Sequence, residues 1–419
     1  MKITRISARE IFDARGWPTV QCEIILEDVI RVYASAPSGL EYKKNSAREM
    51  RDGGKRFWGK GVLKSIENID EMIAPKLIGL CPHGPEMDLQ ILEIDGTPDK
   101  SNLGAQAMLA TSMAVYKAQA YAEHVELYEL IAYMCGSESV SLPFPIITML
   151  SADYLYNSNV NIQEFMVVPL GAANYRNSYE LCILVFHELR TLAQKKGKPF
   201  YVGDHGGFVM NFESDEEALS LLLQAIEKIS ESFGNRCVIA LDVGASRLYN
   251  PVSKKYTWNN KEINSQELVA YYEKLLDEYP IYSIEDGLSE DDWNGWKLMK
   301  ALLESRIQLV GGDIFENNAE KIIQGAEAGI AQGVIIKPHH IGTVTETLHT
   351  LRLCKMHNLN IIVSHGAGET DETFISDLAV GASAGQIRAG GCSRMERVAK
   401  YNRLLEIEDQ LMISAIDSQ

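Results

Sequence analysis

The sequence predicts an α/β protein in which an N-terminal α+β domain, a three-stranded meander plus helices, is followed by a (β/α)8 barrel. Three observations favour this fold. They are strand-like runs before residue 36, a helical periodicity between residues 61 and 134, and a later series of short apolar runs that alternate with amphipathic segments. A length of 419 residues allows two or three domains, or one large barrel with an appendage.

The N-terminal domain is expected to cover residues 1–134. Its first part contains three runs with strand character, KITRISAREIF, PTVQCEIIL and VIRVYAS. Its second part changes to apolar residues spaced three and four apart, which predicts helices in GVLKSIENIDEMIAPKLI, NLGAQAMLATSMAVYKAQAYAE and LYELIAYM. The prolines of SLPFP, residues 141–145, remove backbone donors and predict a linker, so the second domain is expected to cover residues 141–419.

The second domain contains eight short apolar runs: IQEFMVVPL, PFYVGDH, CVIALDV, PIYSIED, IQLVGGD, GVIIKP, NIIVSH and GQIRAG. Amphipathic segments such as SQELVAYYEKLLDEY separate the later runs, so the repeat unit is expected to be βα. Near-continuous apolar strands are typical of parallel sheets that are buried on both faces. An open doubly wound sheet is the alternative to a closed barrel.

Polar side chains favour the barrel, because each predicted strand ends in one. These residues are Glu164, His205, Asp242, Glu285, Asp313, Lys337, His365 and Arg388. In a barrel the carboxyl ends of the strands converge on one mouth, whereas an open sheet would spread them along an edge. Charges that merely solvate loop entrances would explain any one of these residues, but not all of them in register.

Two of these residues indicate a metal, and a third indicates a base. Asp242 and Glu285 close buried strands, and hard oxygen ligands on rigid elements favour Mg²⁺. Lys337 closes a neighbouring strand, where a lysine beside a metal can act as a general base; the alternative is a solvated or salt-bridged lysine. A metal next to a base is suited to removing a proton from a carbon beside a carboxylate. The sequence therefore predicts an enzyme whose substrate is a small anionic carboxylate.

The charge and composition bear on partners and location. Forty Lys and Arg against 57 Asp and Glu give a net charge of −17, which disfavours nucleic acid and anionic membranes as partners. The N-terminus is charged where a signal peptide needs an apolar run, and seven scattered cysteines without a C-x-x-C pair indicate a reducing compartment. A cytoplasmic location is expected.

The chain resembles the enolase family from about residue 3 to residue 410. The resemblance rests on collinear motifs in both predicted domains: AREIFDARGWPTV, PSG, MRDGGKRFWGKGV, DGTPDKSNLGAQAML, QEFMVVPLGA, VGDHGGF, SIED, DDW, IGTVTE, VSHGAGETDETFISDLAVG, GQIRAG and RMERVAKYNRLLEIE. It implies the fold described above and a Mg²⁺-dependent lyase that dehydrates 2-phosphoglycerate to phosphoenolpyruvate. It also implies a homodimer.

The resemblance assigns roles to several residues that match family motifs. Asp242 and Glu285 resemble two of the three metal carboxylates, and Lys337 resembles the base. Gln163 and Glu164 match the QEF motif beside the leaving hydroxyl. His365 matches the histidine of the VSH motif, which lines the substrate pocket.

The resemblance breaks down at several positions of the same mouth. Gly312 replaces the third metal carboxylate, which leaves Asp313 as the metal candidate if the strand end twists or bulges. His205 replaces the glutamate that assists departure of the hydroxyl, and Arg388 replaces a lysine that touches the substrate carboxylate. The loop after PSG carries Glu41, a candidate substrate contact in place of small residues.

The phosphate side of the predicted pocket differs most from the family. Gly366 and Ala367 replace an arginine and a serine that grip phosphate, and a bidentate guanidinium contact is among the strongest polar interactions available. Activity on 2-phosphoglycerate is therefore expected to be weak.

Three functions remain open from the sequence. The favoured one is an enolase-like, Mg²⁺-assisted carbon–oxygen lyase with a changed substrate, for example in a specialised phosphonate pathway. The others are a catalytically inactive binding or assembly protein and a genuine glycolytic enolase with compensating substitutions. For the favoured function the expected catalytic residues are Lys337, Glu164 and His205, the substrate contacts Gln163, His365, Arg388 and Glu41, and the metal ligands Asp242, Glu285 and Asp313.

Overall fold

The N-terminal strands form an antiparallel meander in the computed structural model, which describes residues 1–39, 46–137, 139–152, 159–234 and 236–417. The strands are β1 (Ile3–Phe12), β2 (Pro18–Leu26) and β3 (Ile30–Ser35), with β2 in the middle. The central strand buries most of its side chains, on both faces of the sheet. The predicted meander is confirmed within one or two residues at each boundary.

The described part of this domain also contains five α-helices: α1 (Leu63–Glu67), α2 (Ala74–Leu77), α3 (Gly84–Asp95), α4 (Ala105–Glu123) and α5 (Leu127–Cys135). A π-helical turn over Asn68–Ile73 joins α1 to α2, and a short 3₁₀-helix covers Arg56–Gly59. Helix α4 packs against β2 and β3 and buries nearly all of its residues. Helix α3 was not indicated by the spacing of its apolar residues.

The second domain contains a closed barrel of eight strands: β4 (Phe144–Ser151), β5 (Glu164–Leu170), β8 (Arg236–Asp242), β12 (Ile281–Glu285), β13 (Gln308–Gly311), β14 (Gly333–Ile336), β15 (Asn360–Ser364) and β16 (Gly385–Gly391). Each strand pairs with the next in this order, and β16 pairs with β4 to close the barrel. The fold class predicted from the sequence is confirmed.

The first two barrel strands differ from the predicted repeat. The run PFYVGDH forms only the short strand β6 (Phe200–Val202), which makes a hairpin with β7 (Phe208–Met210) outside the barrel. Its place is taken by β4, which begins inside the predicted linker. The reason is burial, since β4 buries six consecutive side chains, whereas Tyr201 and Val202 are exposed. Pro145 is tolerated because it lies at the start of the strand.

Strand β5 is antiparallel to both of its neighbours, while the other barrel pairs are parallel. The expectation of eight equivalent βα units was therefore wrong for this strand. Glu164 is the first residue of β5, not the last. It still lies at the mouth, because the amino end of an antiparallel strand meets the carboxyl ends of its parallel neighbours, and Glu164 is paired with Asp242.

Helices surround the barrel: α6 (Tyr175–Lys195), α7 (Asp215–Phe233), α8 (Ser265–Glu278), α9 (Trp293–Leu303), α10 (Ala319–Ala328), α11 (Pro338–Ile341), α12 (Val344–Met356), α13 (Phe374–Gly381) and α14 (Met395–Asp417). A small sheet of β9 (Tyr249–Asn250), β10 (Lys255–Trp258) and β11 (Lys261–Ile263) follows β8. Among the described helices, none has both the length and the apolar character needed to cross a bilayer.

The N-terminal domain packs beside the barrel mouth. The loop after β3 pairs with the loop after β15 through reciprocal backbone hydrogen bonds between Ser38 and Gly368, of 2.7 and 2.9 Å. A buried network joins α3 and α4 to α12: Asp88 accepts hydrogen bonds from Ser112 Oγ (2.8 Å) and from Thr345 N (2.9 Å). The two domains therefore meet through buried polar contacts as well as apolar packing.

Candidate active site

The order of strands places the site residues around the barrel mouth. Counting round the eight strands, β5 lies opposite β14 and β12 lies opposite β16. Glu164 on β5 therefore faces Lys337, which directly follows β14. Arg388 on β16 in turn faces Glu285 on β12.

Arg388 crosses the mouth and binds three carboxylates. Its Nη1 donates to Glu285 Oε1 at 2.5 Å, and its Nη2 donates to Glu164 Oε1 at 2.8 Å and to Asp242 Oδ2 at 2.7 Å. The side chain is 4% exposed. The structure therefore places Arg388 at the centre of the predicted site, in contact with predicted metal ligands rather than at the edge of a substrate pocket.

Glu164 is held as a carboxylate. Burial alone would raise its pKa, but the charges of Arg388 and His205 and a hydrogen bond from Thr148 outweigh burial and lower the pKa to about 2. The Thr148 hydroxyl donates to Glu164 Oε2 at 2.6 Å. At neutral pH Glu164 can accept hydrogen bonds or stabilise positive charge, but it carries no proton to donate.

The carboxylates on the neighbouring strands behave differently. Burial raises the pKa of Glu285 to about 8, with the opposing attraction of Arg388 and Lys337 only partly cancelling that effect. Burial also raises the pKa of Asp242, and the negative charge of Glu164 adds to it. The positive charges of Arg388 and Lys337 therefore do not fully offset the burial of Asp242 and Glu285.

Three buried carboxylates could hold a metal ion: Asp242, Glu285 and Asp286 each offer an oxygen, and these oxygens lie within 4.8 Å of one another. The third member is Asp286, not the expected Asp313. Asp286 has a φ of 46°, which turns its side chain toward the backbone after β13. Its two oxygens accept hydrogen bonds from Gly312 N and Asp313 N, both of 2.9 Å.

Gly312 explains why Asp286 can take this position. A Cβ at residue 312 would approach Asp286 Oδ2 to 2.7 Å, so a side chain there would compete with the Asp286 carboxylate for the same space. Burial, together with the negative charges of Asp313 and Glu285, raises the pKa of Asp286 well above its usual range. The three carboxylates offer hard oxygen ligands and negative charge, which is the chemistry that a divalent cation prefers.

Lys337 caps the short helix α11 and has its backbone N–H fixed by Asn317 Oδ1 at 2.6 Å. Its positive charge is close enough to Asp242 and Glu285 to oppose the rise in the pKa of both. Within the described part of the chain, the ammonium group of Lys337 forms no ion pair. Its contacts therefore leave it able to reach a substrate in the mouth.

His205 lies beside Glu164, with Nδ1 3.2 Å from Glu164 Oε1. Burial lowers the pKa of His205, and the positive charges of Arg397 and Arg388 add to this effect, while Glu164 opposes it. The ring of His205 packs edge-on against that of His365, at a centroid distance of 5.4 Å. His205 therefore lies on the same side of the mouth as Glu164.

His365 is held by Arg397, a buried residue on α14 that sequence reasoning missed. Arg397 Nη1 donates to His365 Nδ1 and to Gly366 O, the latter at 2.9 Å, while Nη2 donates to Ala367 O at 2.8 Å. Burial lowers the pKa of His365 well below its usual range, so the ring is neutral. Arg397 therefore fixes the loop that contains Gly366 and Ala367.

His339 follows Lys337 in KPHH, where two adjacent histidines suggest a metal or anion contact at the mouth but also fit a solvated loop. It is 9% exposed and lies between the two loops that border the mouth, where a Cβ at Gly39 would come within 3.6 Å of its ring and a Cβ at Gly366 within 2.8 Å. Burial lowers its pKa to about 4. The adjacent histidines of KPHH gave a signal, but their spacing did not reveal that one of them is buried.

Gln163 and Glu41 are the two remaining predicted substrate contacts. Gln163 is tied to β8 by a hydrogen bond from its N–H to Asp242 O at 2.9 Å, and its side-chain oxygen lies against Gly244, where a Cβ would come within 2.2 Å. Glu41 lies outside the described residues.

Comparison with known families agrees with this architecture. The family described as "Enolase, N-terminal domain" matches residues 3–131, and "Enolase, C-terminal TIM barrel domain" matches residues 139–417. Members of this family typically bind Mg²⁺. Because the two matches cover nearly the whole chain and both domains of the fold, this protein belongs to the enolase family.

Proposed function

We propose that the protein is an enolase-like carbon–oxygen lyase that removes the proton next to a carboxylate and expels an oxygen leaving group from the adjacent carbon. The observation that supports this proposal most is the arrangement across the mouth. Lys337 lies on one side, and Glu164 with His205 lies on the opposite side. A substrate bound between them would present its α-hydrogen to Lys337 and its leaving oxygen to the other pair.

In this proposal Lys337 reacts as its neutral amine: Nζ accepts the carbon-bound proton and becomes an ammonium, the electron pair of the C–H bond forms the new double bond, and the electron pair of the carbon–oxygen bond leaves with the oxygen. His205 donates a proton to the departing oxygen from its imidazolium form, which the negative charge of Glu164 stabilises against the burial that lowers the pKa of His205. Arg397 is a positioning residue, since it holds the loop that presents His365.

Asp242, Glu285 and Asp286 are the residues that would hold Mg²⁺. When bound, a divalent cation stabilises the negative charge that develops on the substrate carboxylate as the proton leaves.

The substrate is proposed to be a small anionic carboxylate other than 2-phosphoglycerate. Gly366 and Ala367 offer no side-chain donor to a phosphate, and the backbone N–H of Gly366 already donates to Glu369 Oε1 at 2.8 Å. A specialised biosynthetic role, for example in phosphonate metabolism, fits a pocket remodelled in this way. We further propose a cytoplasmic homodimer, whose mass light scattering would measure directly.

The test is exchange of the substrate α-proton in D₂O, followed by NMR with Mg²⁺ present, for 2-phosphoglycerate and a panel of β-hydroxycarboxylates with and without a phosphonate group. At least one compound should exchange, and Lys337→Ala should slow that exchange by about 10²–10⁴-fold. Lys274→Ala, on the exposed face of α8, is the matched control and should exchange at the wild-type rate.

Two outcomes would contradict the proposal. Exchange that survives in Lys337→Ala would remove Lys337 as the base, and no exchange with any compound would favour an inactive binding protein. Rapid turnover of 2-phosphoglycerate that requires Lys337 would instead identify a glycolytic enolase.

A further inference from the structure

We propose that the guanidinium of Arg388 is a tethered cation that competes with a divalent metal ion for the carboxylates Asp242 and Glu285. The inference concerns the metal site of the proposed function but not the reaction itself. It predicts that this chain binds metal weakly as long as Arg388 lies in the mouth.

The first step of the argument is the shared set of ligands. Asp242 and Glu285 belong both to the group of oxygens that could hold a metal and to the group that binds Arg388. A metal bound to these two residues would share its ligands with a guanidinium that is hydrogen-bonded to each of them. In a buried site such like charges repel strongly, because little water screens them.

The second step is the reach of Arg388. It starts from β16 and crosses the mouth to Glu285 on the opposite strand, so its charge lies between the carboxylates rather than beside them. Glu164, which is not in the metal group, contributes a third contact that holds Arg388 there. A lysine at this position is shorter and offers a point charge, so it could not bind all three carboxylates at once.

The third step is that the arrangement of Arg388 carries a cost. Among the described residues, no acceptor faces its buried Nε, and an unsatisfied buried donor destabilises the state that contains it. Among the described residues, the hydrogen bonds of its guanidinium all go to the three carboxylates. A metal ion at sufficient concentration should displace it.

The experiment measures binding of Mn²⁺ alone to the full chain by electron paramagnetic resonance, without substrate. We expect Arg388→Lys to bind one Mn²⁺ at least tenfold more tightly than wild type, equivalent to about 1.4 kcal/mol. The double variant Arg388→Lys/Asp286→Asn should lose this gain, which separates the mouth from other acidic sites on a chain of net charge −17.

A second variant covers the possibility that Arg388→Lys folds poorly. Arg388→Met combined with Glu164→Gln removes one positive and one negative charge, so the charge balance of the mouth is kept while Asp242, Glu285 and Asp286 remain. It should also bind Mn²⁺ at least tenfold more tightly than wild type. Circular dichroism and thermal unfolding would confirm that each variant is folded.

Equal Mn²⁺ affinity in wild type and in either folded variant would overturn the inference, as would tighter binding by wild type. Neither result bears on Lys337, whose role is tested by proton exchange. Failure of this inference and failure of the proposed function are therefore distinguishable.

Discussion

Glu164 and Glu285 are both buried and both contact the same guanidinium, yet their pKa values move in opposite directions, to about 2 and about 8. Burial is the largest influence on both groups and raises both pKa values, so the neighbouring charges and hydrogen bonds decide whether the net shift is up or down. Glu164 also faces His205 and the hydroxyl of Thr148, whereas Glu285 faces the negative Asp242. One arginine therefore contacts a glutamate whose pKa is lowered on one side of the mouth and a glutamate whose pKa is raised on the other.

This difference makes Thr148 a sensitive position. Thr148→Val keeps the shape of the side chain but removes the donor to Glu164 Oε2, so a buried carboxylate loses a charge-assisted hydrogen bond of 2.6 Å. We expect a loss of about 1.5–3 kcal/mol in the free energy of unfolding at pH 7. Urea denaturation would measure it, with Thr148→Ser as the control that restores the hydroxyl. A loss as large in Thr148→Ser would show that packing, not the hydrogen bond, is responsible.

Residue-level prediction from the sequence succeeded where a side chain ends a buried strand and failed where the local backbone redirects it. Asp242 and Glu285 were placed correctly at the mouth because their strands fix them. Asp286 was missed because its position in the group depends on a left-handed φ of 46° and on space left by a glycine from another strand. Neither feature is visible in the spacing of residues along the chain.

The missing side chain of Gly312, just after β13, leaves space that the Asp286 carboxylate occupies. Gly312 lets the loop after β12 bring Asp286 inward, and its φ is not in the left-handed region, so an alanine there is limited by space and not by backbone strain. Element boundaries of this kind escape sequence reasoning, as does the antiparallel direction of β5. Both follow from packing between strands that are distant in the chain.

Gly312→Ala is expected to destabilise the protein by about 1–3 kcal/mol, because its Cβ would lie 2.7 Å from Asp286 Oδ2. Thermal unfolding at constant pH would measure the change. Gly39→Ala is the comparison, because among the described residues the atom nearest to a Cβ at residue 39 would be at an ordinary 3.6 Å. Equal stability of the two variants would mean that the carboxylate of Asp286 can move aside without cost.

At the scale of the whole molecule, the two domains share a buried carboxylate. Burial raises the pKa of Asp88 to about 6 from its usual 3.8, despite hydrogen bonds from Thr345 and Ser112. Because the folded state binds this proton more tightly than the unfolded state does, the stability from this proton is fully present below pH 3.8 and is lost as the pH rises through 6. The contact between the domains should therefore weaken toward neutral pH.

Asp88→Asn tests this, since an amide cannot titrate. The difference in unfolding free energy between wild type and Asp88→Asn should shift by up to about 3 kcal/mol in favour of the variant as the pH rises from 4 to 8. Calorimetry across that range would follow it, whatever constant offset the substitution introduces. A difference that does not change with pH would assign the pKa of Asp88 to its usual range.

The pairing of β16 with β4 has a consequence for how the chain is made. These strands lie at opposite ends of the barrel domain, near residues 144–148 and 386–391, so the barrel cannot close until almost all of the chain has left the ribosome. Arg388 lies on that last strand. During synthesis Glu164, Asp242 and Glu285 therefore emerge before Arg388, their counter-ion. Arg388 reaches these carboxylates only when β16 pairs with β4 and the barrel closes.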